Sequence, residues 1–163
     1  MPRAQRKNLN KKLFFENIPV LFIPLIIIFL DQYSKAAALK LLKLGEPINL
    51  ISGFFRLNLT FNTGAAFGML KNQTLFFIAV SFIASLVIFI NLLRSSSKKG
   101  NIVLVFILAG AIGNLIDRLR FGYVVDFLDV RFFSVFNLAD ISITIGAVLF
   151  VINSLLIREN EKY

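Results

Sequence analysis

The sequence predicts a mainly α-helical, polytopic membrane protein with four transmembrane helices and a small extracytoplasmic β-sheet. Of its 163 residues, 57% are hydrophobic, and the mean hydropathy of +0.78 is well above that of an ordinary soluble domain. Four apolar runs each approach the ~20 residues that a membrane-spanning helix needs. A shorter segment between the first two runs alternates polar and apolar residues, as strands do.

The four spans are expected at about residues 18–42, 75–93, 102–118 and 138–157, within a single domain of residues 1–163. Residues 1–17 and the loop after the second span are short and rich in Lys and Arg. Because short basic segments stay on the cytoplasmic side, we expect both termini in the cytoplasm and the sheet outside. Basic residues on the opposite side, such as Lys40 and Lys43, make this asymmetry incomplete.

Composition excludes several classes of site. The sequence contains no Cys and no His, which excludes thiol catalysis, a Ser-His pair and a His-ligated zinc site. The net charge of +9 could suggest a nucleic-acid partner, but the basic residues lie mostly at the ends of apolar runs. We therefore expect membrane lipid as a partner, and no nucleic acid, metal or cofactor.

The strand pattern covers residues 56–62. Leu57, Leu59 and Phe61 alternate with polar residues, and Asn62 begins an Asn-Thr-Gly sequence typical of a turn. This pattern predicts a small sheet on the outer membrane surface, with its apolar side toward lipid or the spans.

Residues 109–144 concentrate the acids. They hold four of the nine carboxylates, namely Asp117, Asp126, Asp129 and Asp140. Because charge beside hydrocarbon is costly, acids at the ends of membrane helices indicate a functional site.

The third span has a polar face near its outer end. Its members, at helical spacing, are Gly110, Asn114, Asp117 and Arg118. A purely structural interpretation stays open for each of them. Asn114 would form an interhelical hydrogen bond, Ala109 and Gly113 a small-residue packing pair, and Asp117 with Arg118 an ion-paired helix end.

A pair of aspartates is the candidate chemistry. Asp140 lies in the first turn of the fourth span, near Asn137 and Thr144, where an acid commonly caps the helix. Asp126 lies in an apolar frame just before the same membrane surface, which capping does not explain. Two carboxylates in a partly dry site can share one proton, so that one activates a water and the other donates to a carbonyl. Spacing alone does not choose Asp126 over Asp117 as the second member.

Asp31 and Lys35 form a further candidate pair near the outer end of the first span. They are four residues apart, so the structural interpretation is a helix ion pair worth about 0.2–0.5 kcal/mol.

The chain resembles the bacterial lipoprotein signal peptidase family, also called signal peptidase II, over nearly all of its length from Asp31 onward. Five separated motifs carry the resemblance: DQYSK (31–35), NTGAAF (62–67), GAIGNLIDR (110–118), VVDF (124–127) and FNLAD (136–140). Five motifs in the family's order, together with four spans, are highly specific. Residues 1–17 lie outside the resemblance.

The resemblance implies a four-helix membrane aspartic peptidase with a small sheet and a short membrane-surface helix. It would remove signal peptides from prolipoproteins by cutting before a diacylglyceryl-modified cysteine, as a monomer in the bacterial cytoplasmic (inner) membrane, with its active site at the outer surface. Asp126 and Asp140 match the catalytic pair, and Asp117 becomes a structural partner of a nearby cation. The positions that match active-site support or substrate binding are Asn114, Arg118, Asn137, Asn62, Gly110, Asp31 and Lys35.

Two other classes of function remain as alternatives. A small ion or proton transporter would relay ions through its acids, but it predicts polar residues deep within several spans. A structural assembly factor would use Asn114 and the small residues for packing, and it predicts that neither Asp126 nor Asp140 matters for peptide cleavage.

Overall fold

A computed structural model describes residues 18–64, 73–95 and 97–160. In chain order the elements begin with a short 3-10 turn, Ile18–Leu21, followed by α1 (Phe22–Leu41), β1 (Ile48–Ile51) and β2 (Phe55–Asn62). They continue with α2 (Thr74–Arg94), α3 (Lys98–Phe121), β3 (Val124–Val130) and α4 (Leu138–Asn160). The basic segment 1–17 and part of the NTGAAF motif lie outside the described residues.

The prediction of four transmembrane helices is confirmed. The helical stretches long and apolar enough to cross a bilayer are Phe22–Leu41, Thr74–Arg94, Gly100–Phe121 and Leu138–Leu156. α3 contacts each of the other three helices and is the most buried of the four. The other three expose large apolar side chains over most of their surface, as helices facing lipid do.

Small residues bring α3 and α4 close together. A Cβ added at Gly110 would lie 2.6 Å from Ile143 Cγ1 and closer still to the Ala139 carbonyl oxygen. A Cβ at Gly113 would lie 2.7 Å from Asp31 Oδ2 of α1 and 3.2 Å from the Ala139 Cβ of α4. Only glycine permits this approach, so Gly110 joins Gly113 in the small-residue seam expected of this helix.

The predicted small sheet is also confirmed. It is antiparallel with strand order β1-β2-β3. Asn62 pairs with Val124 and Thr60 with Asp126, at the end where β3 leaves α3. Leu59 and Val125 are buried with Ala38 of α1, so the sheet packs on the end of the first helix.

A glycine ends α3 and directs the chain into the sheet. α3 ends at Phe121 because Gly122 adopts a left-handed backbone with φ of 80° and donates its N–H to the Arg118 carbonyl. β3 begins two residues later, which keeps Asp126 beside the end of the helix bundle. Among the described residues, no helix corresponds to the expected membrane-surface helix; residues 65–72 lie outside them.

Candidate active site

Asp126 and Asp140 line the same cavity, which lies where the sheet meets the helix ends. Asp126 is carried by β3, and Asp140 by the first turn of α4. The cavity has a volume of about 600 Å³ and is also lined by Asn62, Asn114 and Arg118. Asp126 is almost fully buried, with 2% of its surface exposed.

Asn137 immediately precedes α4 and holds Asp140 by reciprocal capping. The Asp140 N–H donates to Asn137 Oδ1 at 3.0 Å, and the Asn137 N–H donates to Asp140 Oδ2 at 3.2 Å. This is the geometry of a capping box, which satisfies backbone donors at a helix start. The capping interpretation of Asp140 is therefore correct, but it occupies only one carboxylate oxygen.

The remaining carboxylate oxygens accept hydrogen bonds from three asparagine amides. Asn114 Nδ2 donates to Asp140 Oδ1 at 2.8 Å. Asn137 Nδ2 donates to Asp126 Oδ1 at 2.7 Å, and Asn62 Nδ2 to Asp126 Oδ2 at 3.0 Å. Asn137 thus contacts both acids, and each oxygen keeps a second lone pair for a water or a substrate.

The environment of Asp126 favours its protonated form. Burial and, to a lesser extent, the nearby Asp140 carboxylate together raise its pKa from 3.8 to about 7, against the lowering effects of Asn62, Asn137 and Lys35. An acid with a pKa near neutrality can hold or release a proton at working pH, as a general acid or base must.

A buried cluster centred on Lys35 supports this cavity from below. Lys35 Nζ lies 2.9 Å from Asp31 Oδ2 and 3.0 Å from Asp117 Oδ2, and it donates to Asn114 Oδ1 at 3.0 Å. Asp31 Oδ1 accepts the Ala139 N–H at 2.9 Å. The Asp31–Lys35 pair is therefore more than an ion pair within one helix. It is buried and connects α1 with α3 and α4.

The structural interpretation of Asp117 and Arg118 as an ion-paired helix end is wrong. Asp117 instead faces Lys35, as the resemblance implied, and accepts the Val125 N–H at 3.0 Å. Arg118 donates to the Gly64 carbonyl at 3.2 Å and lies 5.1 Å from the centre of the Phe77 ring. Adjacent residues on a helix point about 100° apart, so one turns into the bundle while the other reaches the cavity.

Asp129 lies apart from the other acids. Asp129 Oδ2 accepts from Arg56 Nε at 2.6 Å and from Asn58 Nδ2 at 2.9 Å, away from the cavity. Gln32 belongs to the buried cluster, although the sequence assigned it no role. Its Nε2 donates to Asp117 Oδ1 at 2.9 Å. The sequence feature that could have identified it is its position as a polar residue next to Asp31 in an apolar helix. Within the described ranges, no three acidic side chains gather as a metal site would require.

Comparison with known proteins identifies the family. The family model described as signal peptidase (SPase) II matches residues 23–156. The chain belongs to the signal peptidase II family.

Individual relatives of this signal peptidase II family member cover most of its length. The lipoprotein signal peptidase of Caldanaerobacter subterraneus subsp. tengcongensis is 46% identical over 125 residues, covering 76% of this chain and 86% of that protein. That of Coxiella burnetii strain RSA 331 is 39% identical over 148 residues, covering 85% and 90%. A solved bacterial membrane enzyme superposes with a TM-score of 0.82 at 30% identity, covering 87% of this chain and 90% of its own.

Proposed function

We propose that the protein is an intramembrane aspartic endopeptidase that removes the signal peptide from diacylglyceryl-modified prolipoproteins, cutting just before the lipidated cysteine. The observation that carries the proposal is the common cavity of Asp126 and Asp140, with Asn137 bonded to both. The relatives named as lipoprotein signal peptidases support the substrate class.

The pair shares one proton in the reactive state. Asp126 carries it, because its pKa of about 7 keeps a large fraction of it protonated up to about pH 7. Ionised Asp140 takes a proton from water, and the water oxygen bonds to the scissile carbonyl carbon while Asp126 donates to the carbonyl oxygen. Collapse of the tetrahedral intermediate breaks the C–N bond as the proton held by Asp140 passes to the leaving amine. Asp126 takes back a proton from a hydroxyl of the intermediate, which yields the carboxylic acid and restores the starting pair. Neither His nor Cys is present to offer another route.

The neighbouring polar residues orient this pair and bind substrate. Asn62 and Asn114 each donate to one catalytic carboxylate. Arg118, held by the Gly64 carbonyl and Phe77, lines the cavity and is placed to bind the peptide backbone of the substrate. The remaining support acts at a distance, through the close helix contact at Gly110 and the buried pair of Asp31 and Lys35.

The cavity suits a substrate that is half in the membrane. One side of it is polar, and the other is lined by Ile141, Ile143 and Ile145 of α4. A lipidated cysteine can keep its acyl chains in the bilayer while its peptide bond reaches the carboxylates at the helix ends. The described lining residues all come from one chain, which supports a monomer. The basic segment 1–17 and the basic loop after the second span favour cytoplasmic termini, which would place the cavity at the outer surface of a bacterial cytoplasmic (inner) membrane.

The test is cleavage of a diacylglyceryl-modified prolipoprotein by purified protein in detergent. Asp126→Asn and Asp140→Asn should each lower the rate by about 10²–10⁴-fold or more while circular dichroism shows an unchanged fold. Asp129→Asn is the matched control, since it alters a buried acid of the same strand outside the cavity. Full activity in either folded cavity variant would remove that aspartate from the catalytic pair, and a native chain that cuts nothing would reject the peptidase itself.

A further inference from the structure

The end of the sheet opposite the Asn62–Val124 pair forms a compact unit, here called the distal tip (residues 51–54 and 131–133). Phe133 of the tip also lines the catalytic cavity. The Arg131 N–H donates to the Phe54 carbonyl at 2.9 Å. Its side chain donates from Nη1 to the Gly53 carbonyl at 3.2 Å. These bonds join the β1–β2 turn to the segment after β3.

The distal tip presents large apolar side chains outward. Phe132 is 91% exposed and Phe133 67%, and Phe54 and Ile51 are more than half exposed. Phe132 also has a φ of 71°, a left-handed conformation that bulky residues rarely adopt. In water, nothing offsets the free-energy cost of this strained backbone and its exposed phenyl ring. An apolar environment around the ring would offset that cost.

Positive charge accompanies these rings. The Arg131 guanidinium carbon lies 4.9 Å from the centre of the Phe132 ring. Beside it is a second cavity of about 530 Å³, lined by Arg56, Asp129 and Arg131 among others. Two guanidinium groups facing one carboxylate leave excess positive charge, which matches a phosphate group. Aromatic rings next to basic side chains are the combination found at the boundary between water and hydrocarbon.

The apolar surface of the tip continues toward the membrane-spanning part of the chain. Leu41 at the end of α1 and Leu44 in the following turn are both exposed. Every residue of edge strand β1 is exposed, including Ile48 and Leu50, whose side chains point to the same side of a strand. Apolar exposure thus runs from the lipid-facing surface of α1 along β1 to the tip.

We propose that the distal tip inserts into the phospholipid headgroup layer on its side of the membrane, with Phe132 and Phe54 reaching the ends of the acyl chains and Arg131 bound to a lipid phosphate. The bilayer is the occupant that explains apolar exposure, positive charge and continuity with α1 together. The tip then holds the far end of the sheet at the membrane surface. This inference does not depend on the peptidase reaction.

The absence of tryptophan from the sequence provides a direct test. Phe132→Trp introduces a single tryptophan, excited selectively over the tyrosines, in the full chain reconstituted in phosphatidylcholine vesicles with and without phosphatidylglycerol. Brominated lipids labelled near the glycerol end of the chain should remove more than about half of the emission, and iodide in the water should remove little. Phe54→Trp, in the other loop of the tip, should respond in the same way. Phe82→Trp, on the exposed surface of α2, reports a site in lipid for comparison.

The charge component is tested in the same background. Phosphatidylglycerol should increase the quenching by brominated lipid, and Arg131→Gln should abolish that increase while circular dichroism stays unchanged. Emission quenched by iodide and not by brominated lipid would overturn the proposal. Emission protected from both quenchers, in a way that depends on protein density in the vesicle, would also overturn it by showing that a second copy covers the tip.

Discussion

Replacing Asp126 by Asn should make the protein relatively more stable as pH rises. The native carboxyl has a pKa of about 7 in the folded chain, against 3.8 when unperturbed. Between these values the folded state holds a proton that the unfolded state has released. Its stabilising effect is therefore complete below pH 3.8 and is lost as pH rises through about 7. Asn carries no charge at any of these pH values, so it escapes this loss.

The magnitude follows from the pKa. One pKa unit corresponds to about 1.4 kcal/mol, so native stability should fall by about 3 kcal/mol relative to Asp126→Asn between roughly pH 5 and pH 8. A constant offset accompanies this slope, because Asn62 and Asn137 both donate to Asp126 and the new amide offers a single acceptor oxygen. That offset is worth about 1–3 kcal/mol and does not vary with pH.

The assay is unfolding by sodium dodecyl sulfate in mixed micelles, followed by circular dichroism at several pH values. Thr60→Val is the control, since Thr60 is the strand partner of Asp126 and its replacement changes no carboxylate. Its difference from the native chain should be flat with pH. A flat or falling difference for Asp126→Asn would refute the raised pKa and with it the assignment of the proton.

Three further predictions concern packing, buried charge and rate. Lys35→Met should lower the free energy of unfolding by about 3–5 kcal/mol because it leaves two buried carboxylates without their cation. Breaking the exposed Lys43 pair by Glu46→Gln should change it by less than about 1 kcal/mol, and equal losses would contradict the buried cluster. Gly110→Ala should cost about 1–3 kcal/mol, since its Cβ would collide with α4, whereas Gly100→Ala meets only the Ser97 side chain and serves as its control in the same unfolding assay. The cleavage rate should fall about tenfold per pH unit above about pH 7, because Asp126 loses the proton that it donates. A cleavage rate that does not change with pH across that range would count against this role.

Local patterns were sufficient for the elements of this fold. Four apolar runs predict four helices, and the alternation over residues 56–62 predicts β2 (Phe55–Asn62). Helix ends were less accurate, since α3 continues past the expected end at residue 118 to Phe121. Hydropathy marks where a helix enters hydrocarbon, whereas the helix itself ends where Gly122 turns the backbone.

The relation between the acids was decided by tertiary structure. From the sequence, Asp117 and Asp126 were equal candidates to partner Asp140, and only resemblance separated them. In the folded chain, Asp117 faces Lys35 while Asp126 shares a cavity with Asp140. Periodicity states which side chains share a helix face, but it does not state what that face meets.

The sequence by itself determined the membrane class, the four helices, the strand pattern and the motifs of the signal peptidase II family, because these depend on composition and on residues near one another in the chain. Tertiary structure alone decided that Lys35 is buried between two carboxylates and that Asn137 contacts both Asp126 and Asp140. Those contacts join elements far apart in sequence. Their geometry depends on how closely α1, α3 and α4 pack, which the glycines of α3 permit but do not specify.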